Sequence, residues 1–371
     1  MKTQNKKVLL VNLWPGTPHL YAMATYTALR GYPCPDMEVH FLHNDAGMPM
    51  VQRFLDTAHP IRLAIPPKYT LVEYLKFPFQ MPVAFLRLRN CIRKIAPDMV
   101  HILFSHPLLL LVLHTLPQVK VVTTSHDPIP HRGQPWIDRL WGVWEIRLAR
   151  LIFVHCSYNR DSIKGIDTTR CVQVIGLGDT TTIPAASVKK NEAKNYVLFF
   201  GRIAPYKGIE VLLSAMKNVW KQNDSIQLVI AGEGPIEKYS ATILNDRRVR
   251  IVNRFIDTNT MIELFSGAQF LVLPYHEATQ SAVISTAAKF HLPVIASAVG
   301  GIPEIVIHGT TGVLLPPGNP ELLAEHILQL WSTPERSRAM GEAAFAFLQK
   351  NHSWERIAGQ LYSGYKCVFG E

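Results

Sequence analysis

From Leu271 to Pro316 the chain reads LVLPYHEATQSAVISTAAKFHLPVIASAVGGIPEIVIHGTTGVLLP, and no other stretch restricts the fold as much. A buried strand is predicted over Phe270–Leu273, then a loop holding Glu277 and a helix from about Thr279. A second strand follows over Pro293–Ala296, then a turn at Gly300 and Gly301 and a short helix opened by Pro303. A carboxylate thus sits in the loop that ends a strand, and the next helix starts with its N–H groups exposed. Such a pair can hold a sugar hydroxyl with one element and a phosphate with the other.

The rest of the chain has the same rhythm. In the first half strands are predicted over Val8–Leu13, Glu38–Leu42, Met99–Leu103, Val119–Thr123, Leu151–Val154 and Val172–Ile175. Helices fall over Leu20–Leu29, Val83–Ile95, Ile137–Leu148 and Asn159–Lys164. Alternation of this kind is the signature of a parallel sheet with crossover helices, an α/β fold. Strands resume at Tyr196–Phe200, Leu228–Ala231 and Val249–Val252, with helices over Asn259–Phe265, Glu321–Ser332 and Pro334–Leu348. Residues 179–194 are polar, rich in small side chains and without periodicity, which predicts a linker. A length of 371 residues exceeds one ordinary core. Three parts are expected: a first domain over 1–183, a second over 184–351, and a closing helical segment over 352–371.

Three loops carry residue types suited to an anionic ligand. Trp14 to His19 lies in the first strand-to-helix loop, where Gly16 lets backbone approach a phosphate. SHDPIPH, Ser125 to His131, follows the fourth strand and puts His126 at the carboxyl end of the first sheet, on the side of an interdomain cleft. His101, His106 and His155 are read as structural or peripheral. GRIAPYKG, Gly201 to Gly208, follows the first strand of the second half and sets Arg202 and Lys207 at the mouth of that sheet.

The 271–316 segment resembles the retaining glycosyltransferases of family 4, which have the GT-B fold. The features that carry the resemblance are Glu277, the turn Gly300 to Glu304 (GGIPE), the GR-x4-KG spacing of Arg202 and Lys207, and GEGP at Gly232 to Pro235. The resemblance implies two Rossmann-like doubly wound domains facing across a cleft, the first receiving the acceptor and the second the nucleotide sugar. It further implies that Arg202 and Lys207 bind the donor diphosphate, with help from amides at Thr279, Gln280, Ser281 and Ala282. Glu277 would then hold sugar hydroxyls, and His126 would contact the donor sugar beside the reacting carbon. A closing helix crossing back to the first domain, anchored by Trp354, also follows from it. One position departs from the pattern. Ser285 stands where the family has a second Glu that holds the nucleotide ribose, so a ribose contact there has less acceptor capacity and no charge. Gln280 and Ser281 are candidates to compensate.

The expected activity is metal-independent transfer of a sugar from a UDP-, GDP- or ADP-linked donor to a glycan, lipid-linked or small-molecule acceptor, with no cofactor. No Asp-x-Asp triplet is present, and neither His nor Cys residues have metal-ligand spacing. The alternative is a catalytically weak partner subunit that keeps the fold, suggested by Ser285. Five cysteines, never as CxxC, suit a reducing, cytoplasmic setting. The net charge of +10 is concentrated in 1–183, which has 20 basic and 12 acidic residues. Residues 67–94 mix aromatics with Lys and Arg and contain one acid, Glu73, as a helix on an anionic membrane surface would. Without a recognised nucleic-acid module, a nucleic-acid partner is not expected.

Overall fold

Short runs of Val, Leu and Ile bounded by turn residues form the strands, and amphipathic segments between them form the crossover helices. The structure, a computed structural model, describes residues 5–14, 17–44, 57–61, 63, 71–128, 136–181, 183, 185–188, 195–239 and 244–370, with 17–19, 71–80, 136–138 and 185 described by backbone only. The Gly16 expectation falls outside the described residues.

The described residues divide into two compact units, Met1–Gly176 with Trp354–Glu371, and Leu177–Ser353. The first contains β1 (Lys6–Asn12), α1 (Thr17–Gly31), β2 (Met37–Asn44), β3 (Ala58–Ile61), α2 (Leu71–Ile95), β4 (Met99–Ile102) and α3 (Pro107–His114). It goes on with β5 (Lys120–Thr124), α4 (Trp136–Leu148), β6 (Leu151–Val154), α5 (Ser157–Ile166) and β7 (Cys171–Val174). Its sheet is parallel with the order β3-β2-β1-β4-β5-β6-β7. The second unit contains β8 (Tyr196–Phe200), α6 (Ile209–Gln222), β9 (Leu228–Ala231), β10 (Val249–Val252), α7 (Thr258–Ser266), β11 (Ala268–Leu273), α8 (Ala282–Lys289), β12 (Val294–Ser297), β13 (Gly312–Leu315), α9 (Pro320–Ser332) and α10 (Pro334–His352). Its parallel sheet has the order β10-β9-β8-β11-β12-β13. A last helix, α11 (Trp354–Phe369), belongs to the first unit.

Parallel strands covered on both faces need apolar residues at every position, not alternate ones. All six residues of β11 are buried, and so are Val8 to Val11 of β1. Each fully buried Leu, Val or Phe contributes roughly 1.5–3 kcal/mol. α11 is held by specific contacts. The Tyr365 hydroxyl lies 2.7 Å from His101 Nδ1, the Lys120 ammonium donates to the Val368 carbonyl at 3.0 Å, and the Trp354 ring lies 5.8 Å from the Tyr21 ring.

In both sheets the chain winds outward in opposite directions from two adjacent central strands. In the first sheet these are β1 and β4, and in the second β8 and β11. Loops at the carboxyl ends of such a pair diverge and leave a crevice, which is where open parallel sheets receive ligands.

Several expectations are corrected here. α8 begins at Ala282, not near Thr279, because Thr279 and Gln280 are held in the loop. The Gly301 N–H donates to the Thr279 carbonyl at 2.9 Å, and Ser281 is extended at φ −145°, ψ 109°. The expected linker is partly anchored. Asp179 accepts from the Lys289 ammonium at 2.7 Å, and Ile183 is buried. α2 starts at Leu71, twelve positions before the expected Val83, despite Pro78 and Pro82.

Candidate functional site

The loop after β8 runs from Gly201 to Gly208. Its 3-10 turn, Pro205–Lys207, ends at Gly208, whose φ of 65° opens α6. A Cβ on Gly208 would run into the Pro274 carbonyl oxygen, so glycine lets this loop press on the one after β11. The His276 N–H donates to the Tyr206 carbonyl at 2.9 Å, and the His276 ring pairs with the Glu210 carboxylate. On the other side the Gly300 turn, φ 54°, lies so close to Ala278 that a side chain there would strike its carbonyl. The loops bearing Arg202, Lys207 and Glu277 are therefore locked together at the crevice of the second sheet.

Within this crevice Arg202 is exposed and Lys207 half-buried. The Lys207 ammonium lies 3.7 Å from the centroid of the Tyr275 ring, a seat that fixes the cation while leaving N–H groups for a ligand. Tyr275 is fully buried, and its hydroxyl is 3.4 Å from Ser281 Oγ. Ser281 precedes α8 as its N-cap residue but makes no side-chain bond to the first turn. The amides of that turn, with the helix dipole behind them, form an anion-receiving end. Gln280 Oε1 is buried with no hydrogen-bond partner among the described residues. Glu277 is half-buried in the same loop. Of the residues expected here, Thr279 is buried, Ala282 is exposed at the helix start, and Ser285 is among the buried residues of α8.

His126 lies in the first unit, after β5. Phe104 stacks on its ring at 4.2 Å and 8°, and Tyr21 meets it edge-on at 4.7 Å. The Asn159 amide donates to its carbonyl at 2.7 Å. Burial lowers its pKa to about 4, so the imidazole is neutral at pH 7. Its Nε2 is 3.1 Å from the Leu103 carbonyl, and His155 Nδ1 is 3.2 Å from the Gly176 carbonyl. Carbonyls only accept, so these two nitrogens carry the protons. His126 Nδ1 and His155 Nε2 then face each other at 3.2 Å, and two neutral rings have no third proton to place between them. Histidine nitrogen NMR at neutral pH is expected to show opposite tautomers, Nε2–H on His126 and Nδ1–H on His155. On acidification the first proton should enter between the facing nitrogens. The same tautomer on both rings would contradict this assignment.

Sequence reading missed two contributors. Tyr275 and His155 act on Lys207 and His126 across loops distant in the chain, and no local pattern marks either contact.

Two Rossmann-like parallel-sheet domains, one with a cationic switch-point crevice, define the GT-B class. The family model for glycosyl transferases group 1 matches residues 182–347, and that for glycosyltransferase family 4 matches residues 19–178. The chain belongs to this family of glycosyltransferases. It is 27% identical over 276 residues to a D-inositol 3-phosphate glycosyltransferase of Segniliparus rotundus, a match covering 69% of this chain and 60% of that relative's length. Sucrose-phosphate synthase from Thermosynechococcus elongatus shares the fold at TM-score 0.79 and 22% identity, over 99% of this chain and 100% of that one. Anabaena HepE, solved in complex with UDP and glucose, shares it at TM-score 0.73 and 16% identity, over 98% and 100%.

Proposed function

We propose that this chain is a metal-independent, retaining glycosyltransferase using a nucleotide-sugar donor. The observation that carries the reading is the Lys207 ammonium seated on Tyr275 in the crevice between β8 and β11, with Arg202 in its own loop and the open end of α8 after the neighbouring strand. Two cations and a set of helix amides meet the charge that develops on a departing diphosphate. Glu277 holds donor-sugar hydroxyls, and the buried Gln280 Oε1 accepts from the ligand. His126, whose two ring nitrogens face the Leu103 carbonyl and His155, is assigned no contact with the sugar. In the reaction the bond from the anomeric carbon to the phosphate oxygen breaks, the acceptor oxygen bonds to that carbon from the same face, and the acceptor proton passes to the leaving phosphate. HepE is described in complex with UDP-glucose, which puts that donor first among the UDP-, GDP- and ADP-linked sugars to test.

The acceptor we infer is a glycan, a lipid-linked or a small-molecule hydroxyl, in polysaccharide or glycolipid synthesis in the cytoplasm. All five cysteines are free, as that compartment favours. Turnover in the presence of EDTA, with proton NMR of the new glycosidic bond, is expected to show the donor's anomeric configuration kept. An inverted product, or activity abolished by EDTA, would refute the reading.

Ser285 in place of the family's second Glu favours one other reading, a catalytically weak partner subunit. Donor binding without turnover over a full acceptor panel would select it.

A further inference from the structure

We propose that the outer face of α2, α3 and α4 docks on an anionic lipid bilayer. The three helices pack side by side on one side of the first sheet. Seven large apolar residues are exposed among the described residues, and four of them stand on this layer: Val83 (51%), Leu86 (53%), Leu111 (37%) and Leu140 (54%). Such clustering marks an interaction surface, not the scatter of single apolar residues that any protein shows.

The exposed charged side chains described on the layer are basic, while Glu73 of α2 and Asp138 of α4 have side chains outside the described residues. Arg87, Arg93 and Lys94 are exposed on α2, and Arg139 is exposed beside Leu140 on α4. The only carboxylate among the described side chains of the three helices is Glu145, which is buried and accepts from the Thr123 hydroxyl. An ordinary solvated face mixes both signs, as α10 does with Glu335, Arg336, Arg338 and Glu342.

Charge decides between occupants. A second copy of this chain meeting this face would set arginine against arginine around a two-fold axis. A bilayer receives both groups at once, the aliphatic side chains entering below the headgroups while Arg and Lys meet lipid phosphates. None of the helices is long and apolar enough to cross a membrane among the described residues, so the contact is one of surface docking. The proposal is independent of how the donor binds.

The test is co-sedimentation of the full chain with vesicles of phosphatidylcholine alone or mixed with phosphatidylglycerol. Pelleting is expected only with the anionic vesicles and is expected to fade as salt is added. Arg87→Ala and Lys94→Ala should each weaken it about fivefold. Leu86→Asp combined with Leu140→Asp should abolish it, while melting temperature and its shift by nucleotide sugar stay unchanged. Because both leucines are more than half exposed, the pair should fold, and Val83→Asp with Leu111→Asp is a second pair with the same expected loss. No pelleting with anionic vesicles at low salt would overturn the proposal. So would pelleting untouched by either apolar pair, which assigns the face to charged polymers, or a dimer that the same substitutions dissolve.

Discussion

Arg202→Ala is expected to lower kcat/KM for the nucleotide-sugar donor by about 100- to 1,000-fold, the usual cost of removing one preorganised donor from a developing anion. Arg202 stands exposed at the mouth of the crevice, where loss of its guanidinium leaves the fold intact. Lys207→Ala should cost as much. Lys207→Arg tests the seat itself, because it keeps the charge but puts a planar fork where a point charge rests 3.7 Å above the Tyr275 ring. The arginine variant is expected to recover only a minor part of the activity. Full recovery would mean that charge alone matters and that Tyr275 has no part in placing it. Steady-state kinetics with saturating acceptor measure all three.

The second large effect is acid instability confined to the first unit. His101 bonds Tyr365 and Thr124 inside the core, and burial lowers its pKa to about 3. His106 accepts the Leu108 N–H at the start of α3, with burial lowering its pKa to about 4. His155 is held well below its ordinary value, again by burial first. These rings stay neutral in the folded unit but take up protons near pH 6.5 once unfolded. Their contribution is therefore complete above pH 6.5 and is lost as pH falls from there toward the folded values. His101 and His106 each lose about 2 kcal/mol between pH 7 and 5, or roughly 4 kcal/mol for the two, and His155 acts in the same direction. That approaches the lower end of a whole domain's stability of about 5–15 kcal/mol. The described histidines of the second unit include none that is buried. Hydrogen exchange at pH 7 and pH 5 should show protection collapsing in β1, β4 and β5 but persisting in β8 and β11. Equal loss in both units would contradict the argument, and His101→Asn should flatten the slope.

The chain's apolar patterning revealed the sheets because parallel strands are buried on both faces. β6, β9 and β10 fall on the expected residues. β3 escaped because four residues, AHPI, carry a proline and a histidine and no period. α3 escaped for the opposite reason. Five of its eight residues are buried, so the apolar run has little polar face to betray a helix. α2 begins twelve residues before the expected Val83, and Pro78 and Pro82, residue types that interrupt helices, lie in the part that was not expected. At the candidate site Arg202, Lys207 and Glu277 were legible because each lies in a loop directly after a strand. α8 starts later than the local pattern suggests because nothing local shows the Gly301 N–H drawing Thr279 into the neighbouring turn. Contacts between loops, such as Lys207 on Tyr275 or His126 on His155, arise only from the order of the strands.

The most direct test of the central claim is the thermal stability of the second unit against a panel of UDP-, GDP- and ADP-linked sugars, in EDTA. The account predicts stabilisation by one nucleotide series, with the shift lost in Arg202→Ala and reduced in Glu277→Ala while both variants melt like the parent without ligand. No shift from any member of the panel, or a shift that survives Arg202→Ala unchanged, would contradict it.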